Sequence, residues 1–155
     1  MSSPHTSKED VALALKMAVE AHEGQTDKLG VPYIFHVINV WQAICRIEGL
    51  ENKADYETVA LLHDIVEDTD VTLNEIDARF GSGIAQAVAA MTKQKNERYA
   101  DYLVRVKADP VARIVKLADS QDNYRRVPLL SDSKTKARLL AKYENVFSVL
   151  KEDSQ

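Results

Sequence analysis

The segment Ala60–Thr69 reads ALLHDIVEDT and sets four ionisable side chains close together: His63, Asp64, Glu67 and Asp68. On a helix, residues four apart share a face, so His63/Glu67 and Asp64/Asp68 project as two neighbouring rows. A solvated polar face is the plain alternative, but Ala60, Leu61, Leu62, Ile65 and Val66 surround the cluster with apolar residues. Carboxylates crowded into such surroundings repel one another unless a cation joins them. The chemistry indicated is metal binding, and further ligands must then come from other segments. His36, in PYIFHVINV, and Asp119, in IVKLADSQDN, are the candidates. Asp119 falls late in an apolar helix, where an unpaired aspartate is costly. Two imidazoles and two carboxylates suit one borderline-hard divalent ion such as Mn, Fe, Co, Zn or Mg, with positions left for water and a substrate oxygen.

These residues need helices to hold them. Ser7 and Asp10 have the spacing of a capping box, and Val11, Leu15, Ala18, Val19 and His22 follow at helical intervals up to Gly24. After the loop GQTDKLGVP, a second helix is expected over 33–48 and a third, continuous one over 55–68. Thr72 and Glu75 open a short helix to Phe80, and further helices are expected over 84–92, 98–108, 110–124 and 134–151. No strand alternation or internal repeat is visible. The expected fold is all-α, a single bundle of about seven helices over residues 10–152, preceded by a flexible tail over 1–9.

Composition agrees with that reading and narrows the function. The chain has 155 residues, 45% hydrophobic and 28% charged, enough for one core and little more. Its net charge of −4 and lack of a basic run give no footprint for nucleic acid. No apolar run approaches the roughly 20 residues that span a bilayer, and the first residues lack a secretory pattern. The cytoplasm is the expected compartment, with no membrane partner and a monomer or weak homo-oligomer as the expected state. The lone Cys45 falls on an apolar stripe after Trp41 and is expected as a core thiol.

The order H…HD…D with these flanks resembles the HD phosphohydrolase superfamily, and within it the hydrolase domain of Rel/SpoT-type proteins and the small stand-alone alarmone hydrolases. The stretches that carry the resemblance are AHEGQTDKLGVPYIFH, ALLHDIVEDT, TLNEIDARFG and VKLADSQDN. The resemblance implies an HD-type bundle in which His36, His63, Asp64 and Asp119 bind a divalent ion, usually Mn2+. It implies that Glu67 and Asp68 are the catalytic pair, acting on the attacking water or the leaving oxygen; the expectation from the residues themselves is Asp68 nearer the water and Glu67 nearer the leaving group. The implied reaction removes pyrophosphate from the 3′ position of guanosine tetra- or pentaphosphate, with Asn123 on the sugar and Lys28 among the substrate contacts. No room remains within these residues for a synthetase domain.

Candidate substrate contacts extend to Asp27, Arg98, Tyr102 and Arg105, the last three falling at helical spacing. Lys93, Lys95, Lys116, Arg125 and Arg126 are further cations a polyphosphate could use. Asp27 departs from the family, which commonly carries a nucleotide-contacting arginine there; an aspartate repels phosphate and cannot stack as a guanidinium does. Val37 follows His36 where the family usually has proline, and Ser120-Gln121-Asp122 replaces a basic and apolar run. These departures leave open a phosphohydrolase of another nucleotide or phosphoester, such as a deoxynucleotide, a nucleoside monophosphate or NADPH. A non-catalytic, metal-bound nucleotide sensor is the third reading.

Overall fold

A computed structural model describes residues 5–151. Among them the chain forms nine α-helices and one 3-10 turn: α1 (Lys8–Ala21), α2 (Ile34–Cys45), α3 (Lys53–Leu62), α4 (Ile65–Asp68), α5 (Leu73–Phe80), α6 (Ser82–Met91), α7 (Tyr99–Ala108), α8 (Pro110–Arg126), the turn Val127–Leu129, and α9 (Ser133–Lys151). The only β pairing among the described residues is an isolated bridge between Thr26 and Pro32. No helix among them is long and apolar enough to cross a membrane.

The helix starts follow local chemistry. Ser7 accepts from the Asp10 amide while the Asp10 carboxylate accepts from the Ser7 amide, and Thr72 and Glu75 repeat the arrangement at α5. Asp109 accepts from the amides of Val111 and Ala112, and Pro110 takes the first position of α8, where no amide hydrogen is needed. The first four residues of the expected tail lie outside the described residues. His5 and Thr6 reach across to Asp55 at the start of α3, both at 3.0 Å or less.

The helix count exceeds the expected one partly because the third predicted helix divides. It ends at Leu62 and resumes for a single turn at Ile65, with His63 and Asp64 between the two pieces. The His63 ring sits back on its own helix, its Nδ1 donating to the Ala60 carbonyl at 2.7 Å. That contact satisfies one of the carbonyls orphaned at a helix end.

α8 is the central strut, packed by α2, α3, α6, α7 and α9. Val37, Val40, Ile44, Val59, Leu61, Leu62, Ile65, Val88, Leu103 and Val115, all nearly inaccessible, form the core between these helices. A cluster of ionisable groups interrupts it where α2, the α3–α4 break and α8 meet. Cys45 is not in this core. It is exposed, and its thiol donates to Glu57 at 3.1 Å; partial burial and Glu57 push it up to about 11, so it stays a thiol near neutrality.

Candidate active site

That polar interruption brings together His36 from α2, His63 and Asp64 from the break, and Asp119 from α8. Each offers one ligand atom, and the four atoms lie within 4.8 Å of one another. His36 Nε2 is 2.8 Å from Asp119 Oδ1 and 4.0 Å from Asp64 Oδ2. His63 Nε2 is 2.9 Å from Asp64 Oδ2 and 3.3 Å from Asp119 Oδ1. Atoms bonded at about 2.1 Å to a common ion lie within about 4.2 Å of one another, and these four separations fall inside that limit.

The decisive atom is His63 Nε2. It is fully buried and close to two carboxylates, yet it makes no hydrogen bond to either. Because Nδ1 is committed to Ala60, the Nε2 lone pair faces the centre of the cluster. A buried polar atom aimed into a group of carboxylates without a partner is what a cation site requires. The residues present therefore fit a divalent metal ion.

Neighbouring groups orient the four. His36 Nδ1 donates to Asp122 Oδ2 at 2.7 Å, which turns Nε2 toward the centre, and Asp122 is in turn held by Arg125. The Tyr33 hydroxyl donates to Asp64, Lys116 Nζ lies 3.0 Å from Asp119 Oδ2, and Asn123 Nδ2 donates to Asp119 Oδ1 at 3.3 Å. Burial, and then the Asp64 charge, push the Tyr33 phenol upward, so it remains a donor. Burial opposes charge on both imidazoles, but Asp64 and Asp119 hold His63 well above the ordinary histidine range, and Asp119 and Asp122 raise His36. Burial would raise Asp119 too, yet Lys116 and the two imidazoles keep it well below the usual carboxylate range.

Glu67 and Asp68 stand on the single turn α4 at the exposed rim. Glu67 Oε1 accepts from the Lys93 amide, and Gln25 Nε2 donates to the Asp68 carbonyl at 2.8 Å, tying the turn to the loop after α1. Partial burial raises both carboxyls, and the Asp64 charge adds to the shift in each. The predicted pair of rows on one continuous helix is corrected by the break. His63 and Asp64 turn inward from the end of α3, while Glu67 and Asp68 are carried by a separate turn.

Beside the centre lies a cleft of about 270 Å³ bordered by Asp27, Lys28, Tyr33, Asn123, Arg126 and Tyr143, with Leu29, Leu130 and Leu139 as apolar walls. Lys28 and Asn123, both expected as substrate contacts, border it. Asp27 lines the cleft too, but its carboxylate is occupied. Oδ1 accepts from the amides of Leu29 and Val31, and Oδ2 is 2.7 Å from Arg126 Nη1.

Arg98, Tyr102 and Arg105 do not reach this cleft. Arg98 is exposed and pairs with Asp101 at 2.9 Å. Tyr102 is buried and donates to the Met91 carbonyl at 2.8 Å, its ring lying under Lys116 Nζ. Arg105 is consumed by Glu97 and by the carbonyls of Ala89 and Thr92, bracing the α6–α7 connection. Helical spacing places residues on one face but does not say what that face meets.

Sequence reasoning missed Asp122 and Tyr33. Asp122 was read only as a departure from pattern, although a second aspartate one turn beyond Asp119 is a signal for a group behind a ligand. Tyr33 was read only as the start of α2, and nothing local links it to Asp64.

An all-helical bundle that converges two histidines and two aspartates on a buried point, beside an open cleft, defines a class of metal-centred helical proteins. The chain belongs to the HD-domain family, whose model matches residues 14–152. It is 35% identical over 138 residues to a guanosine-3′,5′-bis(diphosphate) 3′-pyrophosphohydrolase of Aquifex aeolicus, covering 83% of this chain and 19% of that protein. It is 34% identical over 134 residues to the bifunctional (p)ppGpp synthase/hydrolase SpoT of Escherichia coli, covering 78% and 18% respectively. The chain thus spans about a fifth of the length of these relatives. Among solved structures it shares its fold with a metazoan ortholog of SpoT described as hydrolysing ppGpp. The TM-score is 0.79 at 24% identity, covering 96% of this chain and 89% of the other.

Proposed function

We propose that this protein is a metal-dependent nucleotide pyrophosphohydrolase that cleaves the 3′-pyrophosphate of guanosine tetra- or pentaphosphate. The observation that carries the reading is the orphaned His63 Nε2 among His36, Asp64 and Asp119, placed between a carboxylate pair and a cleft. The names of the relatives support the choice of substrate.

His36, His63, Asp64 and Asp119 would hold the ion, and Mn2+ is the proposed one. When bound, it supplies Lewis acidity and a lowered pKa for water at neutral pH. The chain's own residues do the rest. Asp68 takes a proton from the attacking water as its oxygen bonds to the phosphorus attached to the 3′ oxygen. The bond from that phosphorus to the 3′ oxygen breaks, and Glu67, its carboxyl raised toward the protonated form, returns a proton to the 3′ oxygen. The products are pyrophosphate and a nucleotide with a free 3′ hydroxyl. Lys116 offsets the charge on Asp119, Lys28 offers a cation to phosphate, and Asn123 lies between cleft and centre to position the sugar.

The test is a nucleotide panel assayed for phosphate and pyrophosphate release with and without added Mn2+. Pyrophosphate from the tetraphosphate, dependent on the ion and abolished in Asp64→Ala, is the expected result. No release from the tetraphosphate, with turnover of a deoxynucleotide, a monophosphate or NADPH, would replace this substrate. Nucleotide binding without any turnover would replace the enzyme reading with a sensor.

A further inference from the structure

We infer that His22 and Gln25 are positioning residues for catalysis: together they fix the turn α4 that carries Glu67 and Asp68. The inference rests on the roles proposed for that pair above.

A helix of one turn does not hold itself. α4 spans Ile65–Asp68, and its last carbonyl, that of Asp68, lies beyond the reach of the helix's own amides. Gln25 supplies a donor there, its Nε2 meeting the carbonyl at 2.8 Å across 43 positions of sequence. That bond is open to solvent, so water competes for both ends, and a glutamine with a freely turning amide would hold the turn only weakly. Gln25 does not turn freely. Its backbone amide donates to the His22 carbonyl at 3.0 Å, and its carbonyl accepts from the Tyr33 amide at 2.9 Å. Its side-chain Oε1 meets His22 Nδ1 at 2.8 Å.

Chemistry assigns the protons along this chain. A carbonyl only accepts, so the end of Gln25 facing Asp68 is the NH2 end and the end facing His22 is the oxygen. His22 Nδ1 must then carry the hydrogen and donate it. The His22 ring is only 2% exposed and lies 5.2 Å from the Tyr33 ring, and its Nε2 is buried with no hydrogen bond among the described residues. A buried nitrogen left unpaired is destabilising. A phenyl ring would pack against Tyr33 without that penalty, so packing does not account for a histidine here. What a phenyl ring cannot do is donate to Gln25. Locking the Gln25 amide in one orientation turns an exposed hydrogen bond into a fixed restraint. The restraint sets Asp68 relative to Asp64, whose carboxylate accepts from the neighbouring Tyr33.

The experiment follows two readouts in the full chain loaded with Mn2+. One is hydrogen exchange of the Asp68 and Thr69 amides, which donate to the Asp64 and Ile65 carbonyls within the turn. The other is kcat and KM for pyrophosphate release from guanosine tetraphosphate. The variants are Gln25→Ala, His22→Phe, the two combined, and His22→Asn, whose amide nitrogen can stand where Nδ1 stood. Each single loss should speed exchange about tenfold and lower kcat about 10–100-fold, with KM and Mn2+ affinity within about twofold of the parent. The combined variant should be no worse than Gln25→Ala, because His22 acts through Gln25. His22→Phe should melt no lower than the parent, whereas the smaller His22→Asn should melt lower yet recover most of kcat. A merely structural histidine gives the opposite order. Unchanged exchange in His22→Phe overturns the inference, as do faster exchange with kcat unchanged, additive losses in the combined variant, or activity that follows melting temperature. A parent that releases no pyrophosphate from the tetraphosphate sinks the proposed activity, and the exchange readout then decides this inference by itself.

Discussion

Removing Asp122 should weaken metal binding without touching a ligand. Its Oδ2 accepts from His36 Nδ1 at 2.7 Å, and its Oδ1 is 2.5 Å from Arg125 Nη2. His36 is only 2% exposed, so water cannot replace the lost acceptor in Asp122→Ala. A buried donor left unpaired costs about 1–3 kcal/mol. In a chain of 155 residues that corresponds to a melting temperature lower by about 2–12 °C. Loss of the carboxylate also makes Nε2 a poorer donor of electrons to a metal and frees the ring to turn, which costs about 10–100-fold in metal affinity. Asp122→Asn keeps an oxygen for His36 but loses the charge, so its loss should fall between parent and Ala. The assay is competitive Mn2+ titration against a fluorescent chelator, with a thermal melt of the metal-free protein alongside. Turnover at saturating Mn2+ should largely recover in both variants. A Mn2+ affinity for Asp122→Ala within about twofold of the parent would refute the reasoning, since the bond would then do nothing for His36.

Glu67→Gln and Asp68→Asn should each cost about 100-fold or more in turnover while retaining Mn2+ binding. Both carboxyls are raised by burial and by the Asp64 charge, so a base among them is lost to protonation earlier as pH falls; the acid limb of kcat/KM should lie above the ordinary aspartate range and change in Asp68→Asn. An acid limb at ordinary carboxylate values would argue against these residues as the proton carriers. Metal affinity should rise with pH to beyond the ordinary histidine range, because raised imidazoles hold protons that the ion must displace; proton release on Mn2+ titration at two pH values measures this. Chelation should lower the melting temperature and added Mn2+ restore it, a contribution of about 2.7 kcal/mol when the free ion is at 100 times its Kd. Arg105→Ala should lower the melting temperature and leave KM for the nucleotide unchanged, since Arg105 braces carbonyls on α6 and faces no cleft.

Much of this was legible in the residue order. Capping boxes at Ser7 and Thr72, the proline at the head of α8 and the apolar spacing place the helices within a few residues of where they form. These are local effects, decided by groups three or four positions apart. The set His36, His63, Asp64 and Asp119 was legible for a different reason: ionisable groups within apolar runs have few stable environments, and sharing a cation is one. Arg98, Tyr102 and Arg105 show where this logic ends. Their helical spacing was readable, but Arg98 pairs with Asp101 in solvent while Tyr102 and Arg105 turn toward Glu97 and the end of α6, and the partner across a packed interface has no signature in the segment itself.

By itself, then, the sequence determined an all-helical chain and the residue types able to hold a divalent ion, because periodicity, caps and the cost of buried charge are written locally. Only the tertiary structure decided how those groups are used. It divided the third predicted helix at His63, so that one ring nitrogen satisfies Ala60 and the other faces the centre. It set Asp122 behind His36 across a separation of 86 positions, and joined Asp27 to Arg126 across 99. Asp27, read alone, is an anion in a loop expected to meet the substrate; packed against α8, it is the anchor of a guanidinium. The physical reason is that a charge's role depends on what neutralises it, and the neutralising partners here arrive from distant helices.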